Sequence, residues 1–193
     1  MASEAGYINY FERLGLANDA HPGEVRKAYK KLMKQLVQEI AQVEVTADRR
    51  AQFMLQMATL NAAVFVLKDK ERREAYWAER QALIELEAEW CGLDDSDEAR
   101  HDVLRPKFDS EVRSFLSKYV QEMPLNAGSD HEVLEASHWD VAHARHATQL
   151  LRQYRHHLHH DILERLPYHE VTEPKIDWSE RQKTVAELLE GLC

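Results

Sequence analysis

Three observations predict an all-α fold. Only 6 Gly and 5 Pro interrupt 193 residues, and Ala, Leu, Glu, Arg and Gln, which favour helices, are plentiful. Apolar residues recur at three- and four-residue spacing in one segment after another, so each segment presents one apolar side as a helix. The turn signals fall between those segments rather than inside them.

In chain order, Tyr7 to Leu16 reads as a short helix ending at Gly15. Asn18–Gly23 is turn-like, with Pro22 suited to the first turn of the next helix. Val25, Ala28, Tyr29, Leu32, Leu36 and Ile40 then line one face of an amphipathic helix. Residues 45–48 read as a connection with Thr46 as N-cap. A third helix over about residues 48–67 carries Phe53, Met57, Leu60, Val64 and Leu67 on its apolar side. After a break at Lys68-Asp69-Lys70, a fourth helix runs from Glu71 to Trp90 through Tyr76, Leu83 and Leu86.

Gly92 and the acidic run Asp94–Glu98 form a soft linker near 92–98, separating a region 1–80 from a helical region 81–193. The helix from Glu71 to Trp90 is the element through which the two regions could share a core. Beyond the linker, Lys107–Met123 reads as a helix, Pro124–Ser129 as a loop, and Asp130–Arg165 as a long helical stretch with room for a break. Pro167–Asp177 reads as extended and Trp178–Leu192 as a last helix, capped by Asp177 with Glu180.

Charge narrows the function. The net charge is -9, but residues 1–80 hold 13 Lys/Arg against 11 Asp/Glu and residues 81–193 hold 12 against 23. Such an acidic chain is a poor match for general nucleic-acid binding, which needs phosphate-neutralising cations. Neither a run of ~18–20 apolar residues nor a signal-like N-terminus is present, and Cys91 and Cys193 form no CxxC, so a cytoplasmic protein is expected. No Gly-rich phosphate loop and no Ser/His/Asp order appears, and no cofactor is expected.

Three pieces in order carry a family resemblance: Tyr7–Leu16, then the basic helix with Lys27-Ala28-Tyr29-Lys30-Lys31-Leu32, then Leu60-Asn61-Ala62-Ala63, Leu67-Lys68-Asp69 and Arg72-Arg73-Glu74-Ala75-Tyr76. This ordered set resembles the J-domain (DnaJ-like) family of co-chaperones over about residues 7 to 80. The resemblance implies a J-domain-like helical hairpin joined to a C-terminal helical bundle. In the family a His-Pro-Asp tripeptide ends the second helix and couples to a DnaK-class ATPase. Here that position falls at Val37-Gln38-Glu39. With no proline to stop the helix and Val37 and Ile40 continuing its stripe, the second helix should run a turn longer and ATPase stimulation should be lost.

Arg26, Lys27, Lys30, Lys31 and Lys34 lie on the polar side of that helix. They are either a solvated face or a retained docking surface for an acidic protein partner, where such charge sets encounter rate and orientation. The helical second half also resembles, in architecture alone, co-chaperones of iron–sulfur assembly that join a J-domain to a helical bundle.

Ten of the eleven histidines lie in the second half. Glu135 and His138, and His143 and His146, are three apart, and His156 and His160 four apart, spacings that put side chains on one helix face. Glu-x-x-His is a half-site of di-iron bundles, which need two such motifs and two further glutamates. Glu135, His138, His143 and His146 are the candidate metal ligands, with zinc the default metal. The competing reading is a surface histidine tract. Asp94, Asp95, Asp97 and Glu98 lack the spacing and glycine of a calcium loop. Trp90, Trp139 and Trp178 read as core or interface anchors.

The expectation is therefore a non-enzymatic J-like adaptor or regulator that docks a protein partner, a DnaK-class chaperone or a larger complex, without stimulating ATP hydrolysis. The alternative is a metal-dependent helical enzyme on the His-rich helix.

Overall fold

The structure, a computed structural model, describes residues 7–42, 46–94 and 96–166. The extended segment Pro167–Asp177, the terminal helix and Trp178 lie outside the described residues.

Among the described residues the regular structure is helical, as predicted: α1 (Tyr10–Arg13), α2 (Pro22–Gln42), α3 (Ala47–Leu67), α4 (Lys70–Cys91), α5 (Glu98–Leu116), a π-helical stretch (Ser117–Glu122), α6 (Met123–Ala127), α7 (His131–Ser137) and α8 (Val141–Glu164). Local chemistry sets several boundaries. Asn9, Thr46, Asp69, Asp130 and Asp140 each accept a backbone N–H from the first turn of the helix that follows, satisfying donors that the helix itself cannot. Gly15, in the left-handed region at φ 66, turns the chain after α1 at no Cβ cost.

The first helix is shorter than expected. Tyr7 and Ile8 precede it and are buried all the same. The phenol of Tyr76 accepts the Tyr10 N–H (3.0 Å) and donates to the Ile8 carbonyl (2.6 Å). Those backbone groups are thus paired with α4 instead of with a further helical turn.

Four boundaries in the second half depart from the prediction. α5 begins at Glu98, with Pro106 inside it. Pro106 and Asp102 are both exposed, so the carbonyl that loses its helical partner can face water. Pro124 sits in the first turn of α6, where its missing N–H costs nothing, so residues predicted to loop are helical. The stretch 131–164 breaks at His138, a left-handed residue (φ 52, ψ 31) that caps α7. The chain turns there, and α8 restarts on a capping box between Asp140 and His143. Finally, Ser117–Glu122 widens to i→i+5 bonding. There Tyr10 Oη, on α1, donates a short hydrogen bond to the Tyr119 carbonyl, the kind of insertion that opens a helical ladder.

The buried side chains from Tyr7 to Ile162 form one cluster that crosses residue 80. At its centre Tyr10 stacks on Tyr76 (ring centroids 4.8 Å apart), Tyr119 packs edge-on against both, and Phe115 packs against Tyr76 and Tyr119. Burial pushes the phenols of Tyr10, Tyr76 and Tyr119 well above their ordinary range, so they stay protonated and act as hydrogen-bonding core residues. α4 and α5, on either side of the 92–98 segment, pack on each other. His101 Nε2 lies 3.1 Å from the Asp94 carbonyl, its ring meets Trp90 edge-on, and Arg100 pairs with Glu89 at 3.3 Å. Trp90 and Trp139 are buried anchors, as expected. A Cβ at Gly128 would stand 2.9 Å from Trp139 Nε1, so only glycine lets that indole lie across the α6–α7 turn.

Candidate functional site

α2 is continuous through Val37-Gln38-Glu39 to Gln42, and Val37 and Ile40 pack against the core. Its buried stripe comprises Val25, Tyr29, Met33 and Leu36. The five basic residues, Arg26, Lys27, Lys30, Lys31 and Lys34, are all exposed, but the fold divides them.

Arg26 and Lys30 lie on the flank against which α7 packs. Arg26 Nε donates to Glu132 Oε2 at 3.3 Å, and Lys30 Nζ is 3.9 Å from Glu132 Oε1. Lys68, just past α3, reaches the same place: its ammonium donates to both carboxylate oxygens of Asp130 at 2.7 Å and lies 3.5 Å from Glu132. The side chains of Lys68 and Asp130 are only 14% and 18% exposed, so this pair is screened less than its neighbours. Burial by itself would raise the Asp130 carboxyl. The Lys68 hydrogen bonds and charge, with the Val133 and Glu132 N–H groups, outweigh that and hold it below its ordinary range. Beneath this layer Tyr29 Oη donates to Asn61 Oδ1 (2.9 Å), Asn61 Nδ2 donates to Ser137 Oγ (3.4 Å), and Ser137 Oγ donates to the Val133 carbonyl (2.6 Å). Tyr29 and Asn61, two of the residues that carry the family resemblance, thus join α2 to α3 and anchor α7.

Lys27, Lys31 and Lys34 make no ion pair among the described residues. Lys34, with Lys30, Val37 and Gln38, forms one wall of a cleft of about 410 Å³ whose other wall is Glu132, Glu135, Ala136 and His138. Lys27 and Lys31 lie further round the helix from α7 than Arg26 and Lys30, and are exposed to solvent.

The proposed metal ligands are not brought together. Glu135 faces its own helix neighbour, with Oε2 3.8 Å from His131 Nδ1. His138 occupies the left-handed cap, so it does not continue the helix face that Glu135 was expected to share. His143 is committed to the α8 cap: its Nδ1 lies 2.7 Å from Asp140 Oδ1 and its ring stacks on Trp139. His146 is exposed on α8. The described residues whose ligand atoms do converge are His160, Asp161 and Glu164, all exposed on the last turns of α8, where water competes for every donor. His159 is engaged in the fold, its Nε2 2.7 Å from Asp109 across the α5–α8 contact. No described helix is long and apolar enough to cross a membrane.

Lys68, Asp130, Glu132 and Ser137 were not read as site residues in the sequence. Their one legible signal was global: a slightly basic first region and a strongly acidic second one in the same chain.

No protein-family model, curated protein or solved structure matches the chain.

Proposed function

We propose that this protein is a non-catalytic J-like adaptor that docks an acidic protein partner through the basic face of α2 and does not stimulate a chaperone ATPase. The observation that carries this reading is the pairing of two features on one helix. Lys27, Lys31 and Lys34 stand in solvent with no ion pair among the described residues, and α2 continues unbroken through the position where the family resemblance puts its coupling tripeptide. A row of unpaired lysines on a rigid helix steers and orients an acidic partner. The missing tripeptide argues for docking without coupling. The partner is either a DnaK-class chaperone held unproductively or an unrelated acidic protein. The loss of the coupling element favours the second.

The test uses the purified full chain with a purified DnaK-class chaperone, and compares wild type with a variant carrying Lys27→Glu, Lys31→Glu and Lys34→Glu. Binding that falls at least about tenfold in the variant, with ATP hydrolysis unchanged by wild type, supports the chaperone version. Binding indifferent to the charge reversal overturns docking through this face, and hydrolysis accelerated by wild type overturns the loss of coupling.

A further inference from the structure

The flank of α2 that faces α7 is not open. It already holds an acidic helix, and that helix belongs to the same chain. We propose that α7 is a cis-bound latch: an acidic helical turn seated on Arg26, Lys30 and Lys68, which an acidic helix of the partner must displace before it can use the whole basic face. This inference rests on the reading of α2 as a docking surface and adds its regulation.

Four observations support it. First, the contacts are those an acidic ligand would make. Glu132 engages Arg26 and Lys30, and Asp130 takes both oxygens to Lys68. The cis contact therefore shows the chemistry this surface recognises: carboxylates at spacing i, i+2 at the start of a helical turn. Second, α7 is short, seven residues, and a helix of that length is not stable by itself. It stays helical because it is docked. Third, it is bounded by chain reversals on both sides. Before it come the turn bonds Gly128 N–H to Leu125, Ser129 N–H to Asn126 and Asp130 N–H to Ala127. After it comes the left-handed His138, a conformation that costs a non-glycine residue about 1 kcal/mol, so relaxation of the cap favours release. Fourth, the cleft beside α7, walled by Lys30, Lys34, Glu135 and His138, leaves an approach along its edge, so a competitor can engage Lys34 before α7 leaves. Against these stand the Tyr29–Asn61–Ser137 hydrogen bonds and the buried Val133, which keep the latch closed in the isolated chain.

The experiment reads the latch directly in the full-length protein. Asp130→Asn preserves the N-cap and Glu132→Gln preserves the shape, so the double variant removes charge while keeping the fold, which circular dichroism verifies. A lysine-directed acylating reagent, followed by peptide mass spectrometry, reports access to each amine. Lys68, whose side chain is 14% exposed, should be modified about fivefold faster in the double variant, the factor that ~1 kcal/mol of lost ion pairing supplies, with the exposed Lys27 and Lys31 unchanged. In wild type the same amine should become more reactive as salt is raised from about 0.05 to about 0.5 M. A labelled synthetic peptide of residues 129–140, added in trans, should bind the double variant about fivefold more tightly than wild type, for the same reason.

Unchanged labelling of Lys68 in both tests means that α7 is a fixed part of the fold, and overturns the latch. Faster labelling without peptide binding means that the flank opens but does not recognise an acidic helix, which overturns the partner chemistry. Concentration-dependent dimerisation of the variant assigns the flank to α7 of a second copy, and overturns a heterologous partner. A latch that opens and binds the peptide, in a protein whose chaperone binding ignores Lys27→Glu, Lys31→Glu and Lys34→Glu, upholds the latch and places the failure in the docking reading.

Discussion

The two flanks of α2 carry the same kind of residue and have opposite surroundings. On one, Arg26 and Lys30 meet Glu132 above a buried chain of hydrogen bonds through Tyr29, Asn61 and Ser137. On the other, Lys27 and Lys31 meet water. Five basic residues on one helix are therefore not one patch. The flank facing α7 is part of how the second half of the chain attaches to the first, and its charges are partly neutralised. Lys27 and Lys31 make no ion pair among the described residues.

That contrast can be broken or sharpened by measurement. The largest effect should come from the buried end of the inner flank. Asn61→Ala removes the acceptor of the buried Tyr29 hydroxyl and leaves only the Ser137 hydroxyl beside it, and should cost about 2 kcal/mol in urea unfolding. A cost near zero would mean that Tyr29 finds another partner and that the polar chain does not anchor α7. Next, Lys68→Met removes a mostly buried ammonium from Asp130 and Glu132 and should cost about 1 kcal/mol at neutral pH. If it instead stabilises the protein, the desolvation of Lys68 outweighs its pairing.

The third prediction concerns pH. The folded-state carboxyl of Asp130 is held below its ordinary range, so its ionised form is favoured by folding. That contribution is fully present above the unfolded-state pKa of about 3.9 and is lost as pH falls through the lower folded value. The stability advantage of wild type over Asp130→Asn should therefore be constant near neutrality and vanish in acid. An advantage that persists at the acid end would mean that the pairing with Lys68 is not its source. The smallest effect belongs to the outer flank: Lys27→Ala and Lys31→Ala should each change stability by less than about 0.5 kcal/mol. A larger loss would give these lysines a structural role and weaken the docking reading.

The elements legible in the sequence were those whose signals are local. The stripe Val25–Tyr29–Leu36, the caps at Thr46 and Asp69 and the break between α3 and α4 lie where spacing and cap chemistry put them. The apolar residues of α3 and α4 are buried as read. The basic residues of α2 were legible too, but not their division, because spacing along one helix says nothing about which neighbour packs on which side. The four candidate metal ligands do not converge for a related reason. Glu135, His138, His143 and His146 share a face only on an unbroken helix, and the chain leaves the helical region at His138, a position without the glycine that normally announces a left-handed cap.

By itself, then, the sequence determined that this chain is helical, where its second, third and fourth helices start and stop, and which side of each is apolar. Those are properties of periodicity and capping, written within a few residues of where they act. Tertiary structure alone decided that Pro106 and Pro124 sit inside or at the start of helices, that Tyr10 opens the ladder at Tyr119, and that α7 folds back over Arg26, Lys30 and Lys68. Each of these depends on a partner tens of residues away. The energies are a few kcal/mol at most and are set by burial and distance, which no local pattern in the chain encodes.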